Sequence, residues 1–187
     1  MDRTEIEVKL NAGRNWALET WLALPEADLL RDATRSEHDP DTFWSAKDHL
    51  AHLAGIEHRF IDIIRRHFEG DPQALGFSNP DGTFMAREDI MAKVHTMTEA
   101  WVREHRPKSI SEVIALGQDA RAATLALLAE LTDEQLAQKV RGAPWADGTV
   151  GGILGVNADH ARMHWNWLTE GLAQTPAPLI SISTPDP

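Results

Sequence analysis

The side chains best suited to chemistry in this sequence are nine histidines, in a chain that has no cysteine at all. Two of them, His160 and His164, stand four positions apart in GTVGGILGVNADHARMHWNWLTEGL. On a helix that spacing stacks both imidazoles over one turn, projecting the same way. Such a pair can share one metal ion, with nitrogens ~2.0–2.1 Å away in the case of zinc. HxxxH also arises by chance in histidine-rich chains, and spacing alone favours reading the pair as two core histidines hydrogen-bonded to neighbours or water. Asn157 shares their apolar arc with Val150, Ile153, Val156, Trp167 and Leu168. Three polar groups on such an arc are costly unless each finds a partner.

A second histidine-rich stretch, WSAKDHLAHLAGIEHRFIDIIRRHFEG, contains His49, His52, His58 and His67. Its apolar stripe runs through Leu50, Leu53, Ile56, Phe60, Ile63 and Ile64. His49 lies inside the stripe and His52 at its edge, so periodicity slightly prefers His49 as a third ligand. His58 points away from the stripe toward solvent, and His67 faces inward at the far end. Glu57 also falls inside the stripe. It reads either as a carboxylate paired with Arg121 or another base, or as a member of the site: a fourth ligand, an orienting group or a general base. Asn157 is a candidate for orienting a ligand or substrate. Trp44 reads as packing at the helix entrance, and Trp165 and Trp167 as core or interface residues, with pocket lining as the other reading.

The elements that must position these groups are helical. The first helix runs from about Asp2 to Leu24, with Ile6, Leu10, Ala17, Trp21 and Leu24 on one stripe, and Pro25 ends it or begins a short extra turn. SEHDPDTF is a loop. Ser45 and Asp48 resemble a capping box opening a helix that continues to about Glu69. The Gly-, Pro- and Asn-rich GDPQALGFSNPDGTF follows, then a shorter helix over Arg87 to Glu104 with Met91, Val94 and Trp101 inward. Ser109 and Glu112 cap a helix reaching about Leu131, and Thr132 with Gln135 caps one or two further turns. The last helix spans about Thr149 to Ala173. No alternating strand pattern stands out. The expected fold is all-α: a four-helix bundle over residues 1–173, with an additional short helix inserted between the second and third long helices, and a proline-rich tail over 174–187.

Composition sets limits on function. At 187 residues and 42% apolar content, one domain with a substantial core is expected. A net charge of −11 suits neither duplex nucleic acid nor its phosphates. No apolar run approaches the ~20 residues of a membrane span, and the charged N-terminus lacks the apolar core of a signal peptide. Together with the absence of cysteine, this fits a cytoplasmic protein without requiring one, and the cytoplasm is the expected location. An exposed apolar helix face would allow a homodimer.

Trp44-Ser45-Ala46-Lys47-Asp48-His49-Leu50-Ala51-His52-Leu53-Ala54 resembles the W-S-x-K-D-x-L-x-H-L-A signature of the DinB/YfiT-like superfamily of metalloenzymes. That group includes the mycothiol-dependent maleylpyruvate isomerases and the ClbS/DfsB-type protection proteins. The resemblance implies that His52 is a metal ligand, and it makes His49 a departure, since that position is usually aliphatic. Asn157-Ala-Asp-His160-Ala-Arg-Met-His164 resembles the family's late-helix element, which implies ligand roles for His160 and His164. SISEVIALGQDARAATLALLAELTDEQL resembles its third long helix and the short capped turn after it. The likeness extends from about Thr4 to Ala173.

Three imidazoles without a thiolate leave at least one coordination position open, the arrangement of a catalytic rather than a structural zinc site. Zinc and nickel lead as the divalent ion, although iron and manganese also accept imidazole. A bound water could be acidified from 15.7 toward ~7, or the position could take a low-molecular-weight thiol. The expected function is thus a metal-dependent hydrolase or thiol-dependent transferase or isomerase acting on a small electrophilic substrate. The alternatives are a protein that sequesters a reactive small molecule, its pocket shaped by the Gly70–Thr83 loop, and a helical interaction protein without catalysis.

Overall fold

The computed structural model describes residues 2–36, 39 and 41–175. Most of the expected proline-rich tail therefore lies outside the described residues. Eight helices are present among those described. The first, α1 (Arg3–Trp21), is capped by the Asp2 carboxylate, which accepts from the Glu5 amide. It buries Ile6, Leu10, Gly13, Ala17 and Trp21 at intervals of three and four. After a short helix, α2 (Glu26–Leu30), come two two-residue strands, β1 (Thr34–Arg35) and β2 (Phe43–Trp44). They pair antiparallel with Thr34 opposite Trp44. Neither is foreshadowed by sequence alternation, because two residues are too few to show a period.

The Ser45/Asp48 capping box is present and opens α3 (Ala46–Phe68). Asp48 also receives Arg106 at 3.0 Å, tying the start of α3 to the end of α4 (Arg87–His105). The inserted helix α4 has 19 residues, as many as α1. Met91, expected inward, is 44% exposed on it. The two remaining capping boxes also form, at Ser109/Glu112 before α5 (Ile110–Glu130) and at Thr132/Gln135 before α6 (Asp133–Leu136). Helices α1, α3, α5 and the final helical segment make the all-α bundle, with a core that includes Leu10, Phe60, Ile64, Leu128 and Ile153.

The final segment is the main departure from the sequence reading. In place of one helix from Thr149 to Ala173 there are two, α7 (Val150–Val156) and α8 (His160–Gln174). At the break the hydrogen bonds shorten their reach to three residues, from Asn157, Ala158 and Asp159 back to Leu154, Gly155 and Val156. Gly13 of α1 packs against the Ala158 carbonyl here, leaving no room for a Cβ. The break makes His160 the first residue of α8.

Candidate metal centre

His52 comes from the second turn of α3, and His160 and His164 from the first two turns of α8. One nitrogen from each lies within 4.8 Å of the other two. The Nε2 atoms of His160 and His164 are 3.1 Å apart. Two nitrogens bound tetrahedrally to one zinc at ~2.0–2.1 Å are separated by ~3.3 Å, so this pair already stands close to a shared-ligand spacing. The His52 ring is centred 5.5 Å from that of His160 and 4.7 Å from that of His164. The three residues expected from motif resemblance therefore meet.

Electrostatics keep these rings neutral. Burial pushes His160 down to about 4 and His49 to about 3. His52 and His164 fall well below the ordinary imidazole value, first through burial and then through repulsion from the neighbouring imidazoles. A neutral imidazole presents a lone pair, which is the form a cation binds. Among the described residues no carboxylate belongs to the cluster, so a divalent ion held there would keep its full charge. The donor set fits such an ion.

His49, slightly favoured by periodicity alone, stands outside the three. It is 1% exposed, with its ring between Trp21 and Trp44, centred 6.0 and 5.2 Å away. Its Nδ1 is 2.8 Å from Nδ1 of His164, and its Nε2 is 2.9 Å from Oγ1 of Thr34. It thus contacts a candidate ligand from behind. Thr34 had no signal in the sequence, since only the β1–β2 pairing carries it to this ring.

Glu57 is 5% exposed and belongs to a different structure. Arg121 grips both its oxygens, with Nε 2.5 Å from Oε1 and Nη2 3.3 Å from Oε2, and also donates to the Leu10 carbonyl. Asn157 closes α7 as its C-cap, with Nδ2 buried and unpartnered. Neither residue lines the cavity beside the histidines.

That cavity measures about 1250 Å³, and His52, His160 and His164 form part of its wall. Ile56, Met97, Trp101 and Met163 give it apolar surface. Ala74, Leu75 and Gly76 of the long loop also border it, as that loop's length suggested. His58 borders it too, with Trp101 at 6.2 Å between ring centres, instead of pointing into solvent. Trp44 does more than pack. Its ring lies 5.3 Å from His52 and nearly parallel to His164, held by an Nε1 bond to Glu99 at 3.4 Å. Trp167 stands edge-on to His164 at 4.9 Å and lines the cavity, whereas Trp165 packs against Trp16 and Trp21.

Fold and site together define an all-α bundle protein with a three-imidazole cluster, His52 and His164 buried and His160 half-buried, on the wall of a large cavity. The chain belongs to the DinB superfamily, whose family model matches residues 9–168. Its fold is similar to that of an uncharacterised protein from Escherichia coli UTI89 solved by crystallography, with a TM-score of 0.63 at 16% identity, covering 95% of this chain and 96% of that one. No curated protein matches the sequence. No helix among the described residues is long and apolar enough to cross a membrane.

Proposed function

We propose that this protein is a divalent-metal-dependent enzyme that transforms a small electrophilic molecule, with zinc or nickel held by His52, His160 and His164. The observation that carries the reading is the meeting of three neutral imidazoles, from two distant segments, on the wall of a cavity of about 1250 Å³. Held by His52, His160 and His164, a divalent ion would supply Lewis acidity, lowering the pKa of a water or thiol toward neutrality.

The protein's own groups do the rest. Burial holds the imidazoles unprotonated, so acid does not compete for their lone pairs above about pH 5. Trp44 and Trp167 cover the His164 ring and limit the approach of water to it. Ile56, Met97, Trp101 and Met163 offer an apolar surface against which the carbon skeleton of a substrate can pack. Drug-sized ligands occupy pockets of roughly 300–1,000 Å³, so this cavity of about 1250 Å³ has room for such a substrate. A thiol cosubstrate is supported by the resemblance of the Trp44–Ala54 motif to a superfamily that includes mycothiol-dependent isomerases.

The test begins with elemental analysis of protein purified without a nickel column. Activated esters and Michael acceptors are then supplied in excess, with and without a low-molecular-weight thiol. Consumption beyond one equivalent, abolished by chelator and restored by metal, is the expected result. Protein whose affinity for zinc survives His160→Ala would end the proposal, and stoichiometric capture without turnover would replace it with sequestration.

A further inference from the structure

We infer that His49 and Thr34 form, with His164, a one-directional hydrogen-bond relay that fixes the His164 hydrogen on Nδ1 and so keeps its Nε2 bare toward His52 and His160. The inference rests on the reading of those three rings as a cation site. His49 and Thr34 are positioning residues here, acting through His164.

Four contacts in series make the relay. Nε2 of His160 lies 3.1 Å from Nε2 of His164, Nδ1 of His164 lies 2.8 Å from Nδ1 of His49, Nε2 of His49 lies 2.9 Å from Oγ1 of Thr34, and that hydroxyl lies 3.5 Å from the carbonyl oxygen of Trp167. A neutral imidazole carries one hydrogen, so each nitrogen pair must have one donor and one acceptor. Only two directions satisfy every pair. In the outward direction His160 donates to His164, His164 to His49, His49 to Thr34 and Thr34 to Trp167. In the inward direction every hydrogen between Thr34 and His160 is reversed.

The two ends of the series choose between them. At one end, the Trp167 carbonyl can only accept, and its long 3.5 Å contact with the Thr34 hydroxyl favours leaving Oγ1 to accept from His49. At the other end, inward polarity would put the His160 hydrogen on Nδ1, which is buried and has no hydrogen-bond partner. A buried N–H without an acceptor is a worse defect than an imidazole lone pair without a donor. Both ends select the outward polarity. Coordination through Nε2 would then shift the His160 hydrogen to its buried, unpartnered Nδ1, a cost that the bound cation must offset, while His164, His49 and Thr34 keep theirs.

The tertiary structure holds the outer end firmly. Thr34 is fixed opposite Trp44 by strand pairing, and Gly171 of α8 packs directly on the Ala33–Thr34 backbone, where no Cβ fits. The strand and the helix carrying His164 are thereby held in contact. Groups that orient a ligating histidine in this way typically alter metal affinity by about 10–100-fold.

The test uses the whole protein and two readouts. In metal-free ¹⁵N-labelled protein, long-range proton–nitrogen spectra should show His164 protonated on Nδ1 and His49 on Nε2. Zinc affinity, measured by competition with a chromophoric chelator, should fall about 10–100-fold in His49→Leu. It should return toward wild type in His49→Asn, whose carbonyl oxygen can accept in place of Nδ1. A His164 hydrogen found on Nε2, or wild-type zinc affinity in His49→Leu, overturns the relay and leaves the metal site standing. A wild-type protein that does not bind zinc overturns the metal reading, and the tautomer spectra still decide the relay. Should His49→Leu not fold, Thr34→Val takes its place: it keeps the side-chain shape and removes the acceptor, so unchanged His49 and His164 tautomers together with unchanged zinc affinity would overturn the relay.

Discussion

Gly13 of α1 packs against the carbonyl of Ala158, in the three-residue break that separates α7 from α8. His160 begins α8 directly after that break, so the approach of two backbones sets where the first imidazole of the cluster stands. Gly13→Ala should force the segments apart, at a cost of about 1–3 kcal/mol for overpacking a filled site. Zinc affinity should fall with stability, because His160 and His164 move together. Urea unfolding and zinc titration of this variant provide the check, and loss of neither would separate the break from the site.

Removing any one of His52, His160 or His164 should weaken zinc binding by more than the ~10–100-fold expected for a group that merely supports a ligand. Alanine variants at the three positions, compared with His58→Ala as a control, give the measurement. Equal affinities across the set would refute a shared cation.

Zinc should stabilise the folded chain by mass action. At free zinc 100 times its Kd the gain is about 2.7 kcal/mol, or roughly 5–10 °C in Tm for a chain of this size. Thermal scans with zinc and with excess chelator measure it. The difference should vanish in the double variant His160→Ala/His164→Ala.

Buried neutral histidines make stability depend on pH with a definite sign. Burial lowers the folded values below the ordinary 6.5, to about 4 for His160 and about 3 for His49. Below pH 6.5 the unfolded chain therefore binds protons that the folded chain refuses. Stability is fully present above that value and falls as pH drops, by up to about 1.4 kcal/mol per pH unit for each such histidine. Metal-free protein should show a urea midpoint that declines between pH 6.5 and 5, above the range where carboxylates titrate. A flat profile across that window would contradict the buried, neutral assignment.

Glu57→Gln tests the other buried charge. Leaving Arg121 without its carboxylate partner should cost about 3–5 kcal/mol, with zinc affinity unchanged in the protein that remains folded. A large loss of zinc affinity would instead return Glu57 to the site.

Much of the architecture was legible in local patterns. Each capping box needs only a hydroxyl residue and a partner three positions later, so those at Ser45, Ser109 and Thr132 could be read directly from the chain. The apolar period of three and four likewise marked Ile6, Leu10, Ala17 and Trp21 as one buried face. Spacing also put His160 and His164 over one turn, because four residues is a property of the helix itself. Glu57 was the ambiguous case: periodicity showed that it was buried, and only packing showed that Arg121 meets it.

What the tertiary structure alone decided depends on contacts between distant parts of the chain. His49 and His52 lie three positions apart on one helix and both reach α8, and that spacing cannot tell which of them turns a nitrogen toward the His160–His164 pair and which supports His164 from behind. The helix break at Asn157–Asp159 packs against Gly13, more than 140 positions earlier, a contact that no local window contains. Thr34 reaches His49 only because two residues of strand pair across a loop and dock on α8. Local hydrogen-bond geometry made the helices readable in the amino-acid order. The meeting of the rings is set by packing between segments, and packing is decided only when the whole chain has folded.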